Sequence, residues 1–330
     1  MKKRIGVLYT GGTIGMRQSL EGLIPDVALA SKALLPFEQQ FEFEWHICDP
    51  LIDSSAIQLS HWQEWVALII TKISQYDGIL VLHGTDTMAY TANFLALAIQ
   101  SLHKPIVLTG SQWPFDAVKS DATLNLAVAV AAFQKEWMGV AVAFNGKLYP
   151  AVGISKISTE NATGFANAHF NAIGAWSEQQ GWTDWNGDSL SQHDDASTTF
   201  AFKLKNTVKV AVYWLAPGCN ADMIAKSLSD FESDAAVLMT YGHGNAPASG
   251  HLISSVKKYT ATGKHILNIS QVLQGSAADT YAQGSALRKA GVIVGGKANI
   301  ETAVALMHLS ASQQWPIAQI TQVLRNHQLL

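Results

Sequence analysis

The chain has 330 residues, 48% of them hydrophobic, with 22 Lys and Arg against 25 Asp and Glu and a formal net charge of -3. That length accommodates two domains, each with its own core, and the interspersed signs supply no basic field for gripping a nucleic-acid backbone. Two cysteines far apart, Cys48 and Cys219, read as free thiols in a reducing compartment, and no apolar run approaches the roughly twenty residues that span a bilayer, so a cytoplasmic chain is expected.

Met1-Lys2-Lys3-Arg4 has the charge of a secretory leader's start, but only five β-prone residues, Ile5 to Tyr9, follow before the glycines. That is too short for a leader's apolar core, and the segment reads as the first strand of the mature fold. It runs into Tyr9-Thr10-Gly11-Gly12-Thr13-Ile14-Gly15, whose glycines permit a sharp turn and close approach to a ligand. Thr13 then stands at the carboxyl edge of a sheet, either as turn filler or as nucleophile. Met16 to Ala30, polar and without a clear period, reads as a lid over the pocket or as a surface connection. A short strand is predicted over Glu42 to Ile47, leading to Asp53-Ser54-Ser55. Ser60 and Gln63 form a capping-box pattern, opening a helix in which Trp62, Trp65, Val66, Ile69, Ile70 and Ile73 recur at helical spacing.

Gly78 to Leu82 repeats the plan of the first strand, running into His83-Gly84-Thr85-Asp86-Thr87-Met88. Carboxyl ends of neighbouring strands form the ligand crevice of open α/β sheets, so Thr13, Thr85 and Asp86 are predicted to converge on one pocket. A helix cap accounts for one of Thr85, Asp86 and Thr87 and leaves two to explain. A helix over Tyr90–Leu102, a strand over Pro105–Thr109, a helix over Asp121–Phe133 and a strand over Gly139–Phe144 continue the alternation of a parallel sheet covered on both faces. Asn145-Gly146 signals a hairpin, with Lys156 placed on its return arm. Between Thr183 and Asn206 the composition turns polar, as in a linker. Lys209 to Leu215 opens a second series: a helix from Asn220, a strand over Ala235–Thr240, a helix ended by Gly263, a strand over His265–Ile269, a helix near Ser285, a strand over Val292–Val294 and two closing helices. The predicted division is an N-terminal catalytic α/β domain over 1–183, a linker over 184–206 and a smaller four-strand parallel α/β domain over 207–330.

The stretches YTGGTIG from Tyr9 and HGTDTMAYTA from His83 resemble the two signature motifs of the bacterial-type L-asparaginases, and the short start is similar to the cytoplasmic type I class. Similarity runs from Ile5 to about Leu309. The resemblance implies an α/β, two-domain asparaginase-like fold and hydrolysis of L-asparagine to L-aspartate and ammonia through a threonine acyl-enzyme. It makes Thr13 the nucleophile and matches Thr85, Asp86 and Lys156 to a second triad. Ser54 and Ser55 fall where the family holds the substrate's α-carboxylate. It further implies an intimate homodimer, often paired into a tetramer, with Asn245 and Asp279 as candidates to reach into the neighbouring subunit's site. Asn245 equally reads as a residue that merely turns the chain.

The chemistry asks the same of these residues. Amide hydrolysis needs an activated hydroxyl, a proton acceptor, oxyanion donors and grips for the substrate's charged ends. Backbone N–H groups beside Gly12 and Gly84 would face the developing charge, Lys156 would depress the proton affinity of Thr85, and Asp86 would grip an ammonium. One departure stands out: where the family carries a tyrosine in the loop after the nucleophile, this chain has Leu23, which passes no proton, so that Tyr281 or a water would take its place. Leu23 motivates one alternative, an amino-acid binding protein on a weakened enzyme scaffold. A second is an ammonia-supplying amidotransferase subunit, although the amino-terminal extension of such subunits is not expected here. No GxGxxG or GK[ST] occurs for a nucleotide, the eleven histidines include no HExxH, and His83 reads as a hydrogen-bonded strand-end residue. No cofactor and no metal are expected.

Overall fold

The computed structural model describes residues 2–19, 22–188, 198–218, 220–247, 249–278 and 282–330. The chain divides into two compact units, Met1–Ala201 and Phe202–Leu330. Cys219, Asp279 and Tyr281 lie outside the described residues.

The first unit is built on buried apolar runs. Strand β1 (Lys3–Tyr9) is buried from Ile5 onward, which requires cover on both faces. It is followed by a short hairpin, β2 (Met16–Ser19) with β3 (Gly22–Pro25), and by helix α1 (Val27–Leu34), whose N-cap Asp26 accepts from the Leu29 N–H. Among its described residues the polar Met16–Ala30 segment is therefore an antiparallel strand pair and a helix start. Strand β4 (Phe41–Ile47) precedes helix α2 (Leu59–Lys72). The expected Ser60–Gln63 cap is displaced: the Gln58 N–H donates to His61 Nδ1 at 3.0 Å and the helix starts at Leu59. Its Trp62, Trp65, Val66 and Ile69 are buried, as the periodicity requires.

Strand β5 (Gly78–Leu82), helix α3 (Met88–Ala98), strand β6 (Ile99–Gln100), strand β7 (Pro105–Thr109), helix α4 (Ala122–Ala132) and strand β8 (Gly139–Phe144) follow. The expected helix to Leu102 stops at Ala98, because β6 pairs with β14 (Phe200–Ala201). Strand β9 (Lys147–Pro150) returns antiparallel to β8 through Asn145 and Gly146, both with positive φ (47° and 75°), as the hairpin signal requires. Lys156 does not lie on that return arm but on the next strand, β10 (Ile154–Lys156), which pairs with β11 (Phe165–Asn167). Strands β12 (Gly174–Ser177) and β13 (Gly181–Thr183), unforeseen in the sequence, extend the main sheet.

Among the described residues that sheet has eight strands in the order β13-β12-β9-β8-β7-β5-β1-β4, parallel from β8 to β4 and antiparallel at the other end. Leu80, Leu82, Val107, Leu126, Phe133 and Ala141 contribute to its core.

The second unit alternates strand and helix: β15 (Val210–Trp214), α5 (Asn220–Ser229), β16 (Ala235–Thr240), α6 (Gly250–Ala261), β17 (His265–Ser270), α7 (Ala282–Lys289), β18 (Ile293–Val294), α8 (Ile300–Gln313) and α9 (Ile317–Asn326). The strands form the expected four-strand parallel sheet, in chain order. All six residues of β16 are buried, and Ile224, Leu238, Leu252, Val256, Tyr259 and Ile266 contribute to the core. Among the described residues no helix is long and apolar enough to cross a membrane.

Candidate active site

The carboxyl ends of β1, β5 and β7 lie side by side, with Tyr9 opposite Leu82 and Leu82 opposite Thr109. The turns beyond them are tied together: the Thr10 N–H and hydroxyl both donate to the Leu82 carbonyl at 3.0 Å, and the His83 N–H donates to the Thr109 carbonyl at 2.9 Å. The segment after β4 joins through the Ile52 N–H, 2.8 Å from the Thr10 carbonyl. Gly12 has φ 99°, and a Cβ there would meet the Gly84 nitrogen at 2.5 Å. A Cβ on Gly84 would in turn meet Ser54 Oγ at 2.5 Å. Both positions need glycine, because three chain segments close on one another with no room for a side chain. Thr13, the next residue after Gly12, opens a 3-10 turn through Gly15 and is half-buried.

Lys156 reaches this crevice by a measured path. Asn93, in the apolar helix α3, accepts from the Gly153 N–H at 3.0 Å and donates to the Ile154 carbonyl at 3.3 Å, pinning the start of β10 to α3. From Asn93 back to Met88, where α3 begins, is five positions, about 7 Å at helical rise, and from Ile154 to Lys156 is two extended positions, also about 7 Å. The amine therefore arrives where α3 begins: Lys156 Nζ lies 2.9 Å from Thr85 Oγ1 and 2.7 Å from Asp86 Oδ1. Thr85 is 7% exposed, and the Lys156 side chain 16% against 62% for Asp86, so the amine faces two polar partners at the edge of water. Thr87 occupies the N-cap position of α3, yet its hydroxyl donates to the Ser54 carbonyl at 2.7 Å instead of capping the helix.

Ser54 and Ser55 differ. Ser54 is buried against Gly84, whereas the exposed Ser55 donates its N–H and its hydroxyl to Asp53 Oδ1, each at 2.8 Å. Those two donors hold the Asp53 carboxyl below the usual carboxylate range. A cavity of about 250 Å³ adjoins Gly12, walled by Tyr9, Gly11, Leu51, Ile52 and Asp53 together with Met16 and Pro25 of the hairpin. The Tyr9 phenol in its wall is fully buried and, among the described residues, has no hydrogen-bond partner. Burial and the Asp26 carboxylate push it up to about 12.

The structure thus brings Gly12, Gly84, Thr85, Asp86, Lys156 and Ser54 together, with Thr13 and Ser55 next in chain. Leu23 lies in β3 in register with Gln18. Asn245, in the second unit, closes a tight turn with Tyr241 through bonds of 2.9 and 3.0 Å, so it does turn the chain. Its Oδ1 is nevertheless buried without a partner among the described residues. The sequence reading missed Asn93, although an amide in the apolar run Met88–Ala98 was a signal for it.

An arrangement of a hydroxyl on a glycine turn, a second hydroxyl bonded to an amine and a buried serine against the second turn suits acyl transfer from an amide. The chain belongs to the asparaginase family: residues 4–189 match the family model described as Asparaginase, N-terminal, and residues 209–324 that described as Glutaminase/Asparaginase C-terminal domain. It is 32% identical over 323 residues to L-asparaginase 1 of Escherichia coli (strain K12), covering 95% of this chain and 93% of that one. The crystal structure of L-asparaginase I from Vibrio cholerae matches with a TM-score of 0.87 at 28% identity, covering 98% of this chain and 97% of that one. A probable cytoplasmic L-asparaginase from Campylobacter jejuni matches at 0.80 and 25% identity, covering 98% and 99%.

Proposed function

We infer that this chain hydrolyses L-asparagine to L-aspartate and ammonia. The observation that carries the reading is the Lys156 amine, 2.9 Å from the Thr85 hydroxyl in the crevice that Gly12 and Gly84 close. In the proposed reaction Thr13 Oγ bonds to the side-chain amide carbon, the C–N bond breaks, and the nitrogen leaves as ammonia with the proton from Thr13. Water then splits the ester, returning a hydrogen to Thr13 and releasing the aspartate carboxyl. Thr85 and Lys156 handle the proton and place the water, while N–H groups of the glycine turns face the oxyanion. Ser54 and Ser55 hold the α-carboxylate, and Asp86, whose outer edge is open to solvent, holds the ammonium.

We further propose an intimate homodimer, with Asn245 and Asp279 reaching toward the partner's site, and a cytoplasmic setting. The first rests on the family resemblance of the chain, with Asn245 itself only half-buried in the single chain. Ammonia release by the isolated chain tests the activity: the Thr13→Ala variant is expected to lose turnover and any ester trapped on the protein. Binding of asparagine without turnover, or ammonia release only with a second protein, would replace the reading by a sensor or an amidotransferase subunit. Sedimentation with and without Asn245→Ala tests the assembly.

A further inference from the structure

His83 heads the β5 turn and is fully buried. Its Nδ1 lies 2.7 Å from the carbonyl oxygen of Gly84, and its Nε2 lies 2.9 Å from Thr91 Oγ1. A carbonyl only accepts, so Nδ1 carries the hydrogen and Nε2 is a lone pair that takes the Thr91 hydroxyl proton. The oxygen of Thr91 then needs a donor, and Trp62 Nε1 supplies it at 2.9 Å. Every donor and acceptor in the chain Trp62–Thr91–His83–Gly84 is matched in one tautomer. The edge-on Trp65 ring at 5.6 Å walls the imidazole on one side, and Trp62 is itself stacked on Phe94 at 4.6 Å.

The end of this chain is Gly84, the residue against which Gly12 and Ser54 both close and which immediately precedes Thr85. Rotation of the Gly84–Thr85 peptide would move the Thr85 hydroxyl away from Lys156. We propose that His83 is a positioning residue for amide hydrolysis: with Thr91 and Trp62 fixing its Nδ1–H tautomer, it locks the Gly84 carbonyl and thereby the turn that carries Thr85 and Asp86. The proposal rests on the asparagine-hydrolysis reading above. Burial also holds His83 near a pKa of about 4, so the ring stays neutral while the enzyme works.

Two substitutions separate positioning from bulk packing. In His83→Asn the amide nitrogen takes the place of Nδ1 and keeps the donor to Gly84, whereas in His83→Gln it takes the place of Nε2, faces Thr91 and leaves the Gly84 carbonyl unpaired. We expect kcat within about threefold of the parent for the asparagine variant and a loss of about thirtyfold or more for the glutamine variant, with KM moved less than about threefold in both. Equal kcat in the two, or a loss confined to KM or tracking thermal stability, overturns the proposal. Should either variant not fold, Thr91→Val removes the proton that sets the tautomer, and an unchanged kcat there overturns it equally. The 15N shifts of the His83 ring in the parent protein provide a readout independent of turnover. Protonation at Nε2 would sink the positioning role, whereas absent ammonia release with Nδ1 protonated would sink the substrate reading alone.

Discussion

Gly12 and Gly84 meet backbone to backbone, the place of a missing Cβ on the first lying 2.5 Å from the nitrogen of the second. The two turns that carry Thr13 and Thr85 are thereby held at a separation that no side chain widens, so the crevice is set by the absence of atoms as much as by the presence of polar groups.

Gly12→Ala should accordingly lower kcat/KM by about a hundredfold or more, since a methyl both collides with Gly84 and strains a φ of 99°. Gly250→Ala is the matched control: it sits at the start of α6 with nothing within 4 Å of the added carbon, and activity should be unchanged. Ammonia release, with circular dichroism to verify folding, checks both.

Lys156→Met keeps most of the buried stem and removes the amine. Thr85 then loses its 2.9 Å partner and Asp86 its 2.7 Å partner. We expect kcat to fall by about 10² to 10³ with a much smaller change in KM, the range typical of a positioned proton-transfer group. Asp86→Asn should raise KM for asparagine as well, because it removes the charge assigned to the substrate ammonium. Steady-state kinetics on the two variants separates the roles.

His83 in the first unit and His308 in the second are both held at about 4 by burial, below the ordinary value of 6.5. Between those values the unfolded chain binds protons that the folded chain does not, so stability is present above about 6.5 and is lost as pH falls toward 4. Each group accounts for on the order of 3 kcal/mol across that window. Urea midpoints should fall steeply from pH 7 to pH 4.5, and the gap between the parent and His308→Gln should narrow over the same interval.

Asp121 is 6% exposed and accepts from the Gln112 N–H at 3.0 Å, the Trp113 N–H at 3.2 Å and the Asn125 amide at 2.9 Å. It shapes the turn beyond β7, next to the Thr85 turn. Asp121→Ala strands those donors and should cost about 3 kcal/mol, with Asp121→Asn costing less because one oxygen acceptor remains. Denaturant titration measures the difference.

Much of this molecule is legible in its sequence, for a physical reason. The runs Ile5–Tyr9, Gly78–Leu82, Pro105–Thr109 and Ala235–Thr240 are short, apolar and flanked by glycine or polar turns, and each is a buried parallel strand. Asn145-Gly146 takes the left-handed angles that its residues favour. What escaped detection depends on distant partners. Strands β12 and β13 are three or four residues long and exist by pairing with each other and with β9. The hairpin at Met16–Pro25 has no apolar period to betray it, and the real start of α2 turns on whether His61 or Gln63 reaches back. The paired motifs carry residues that the fold brings together, but the place of Lys156 depends on the Asn93 clamp on β10, which the sequence does not show.

That clamp makes the position of the Lys156 amine a matter of parity. Successive residues in an extended strand face opposite ways, so one residue inserted between Gly153 and Lys156 would send the ammonium to the far face of β10. Two inserted residues would restore its direction but overshoot Thr85 by about 7 Å. The three-residue length of this short strand thus sets the contact between Lys156 and Thr85 as firmly as the lysine at its end.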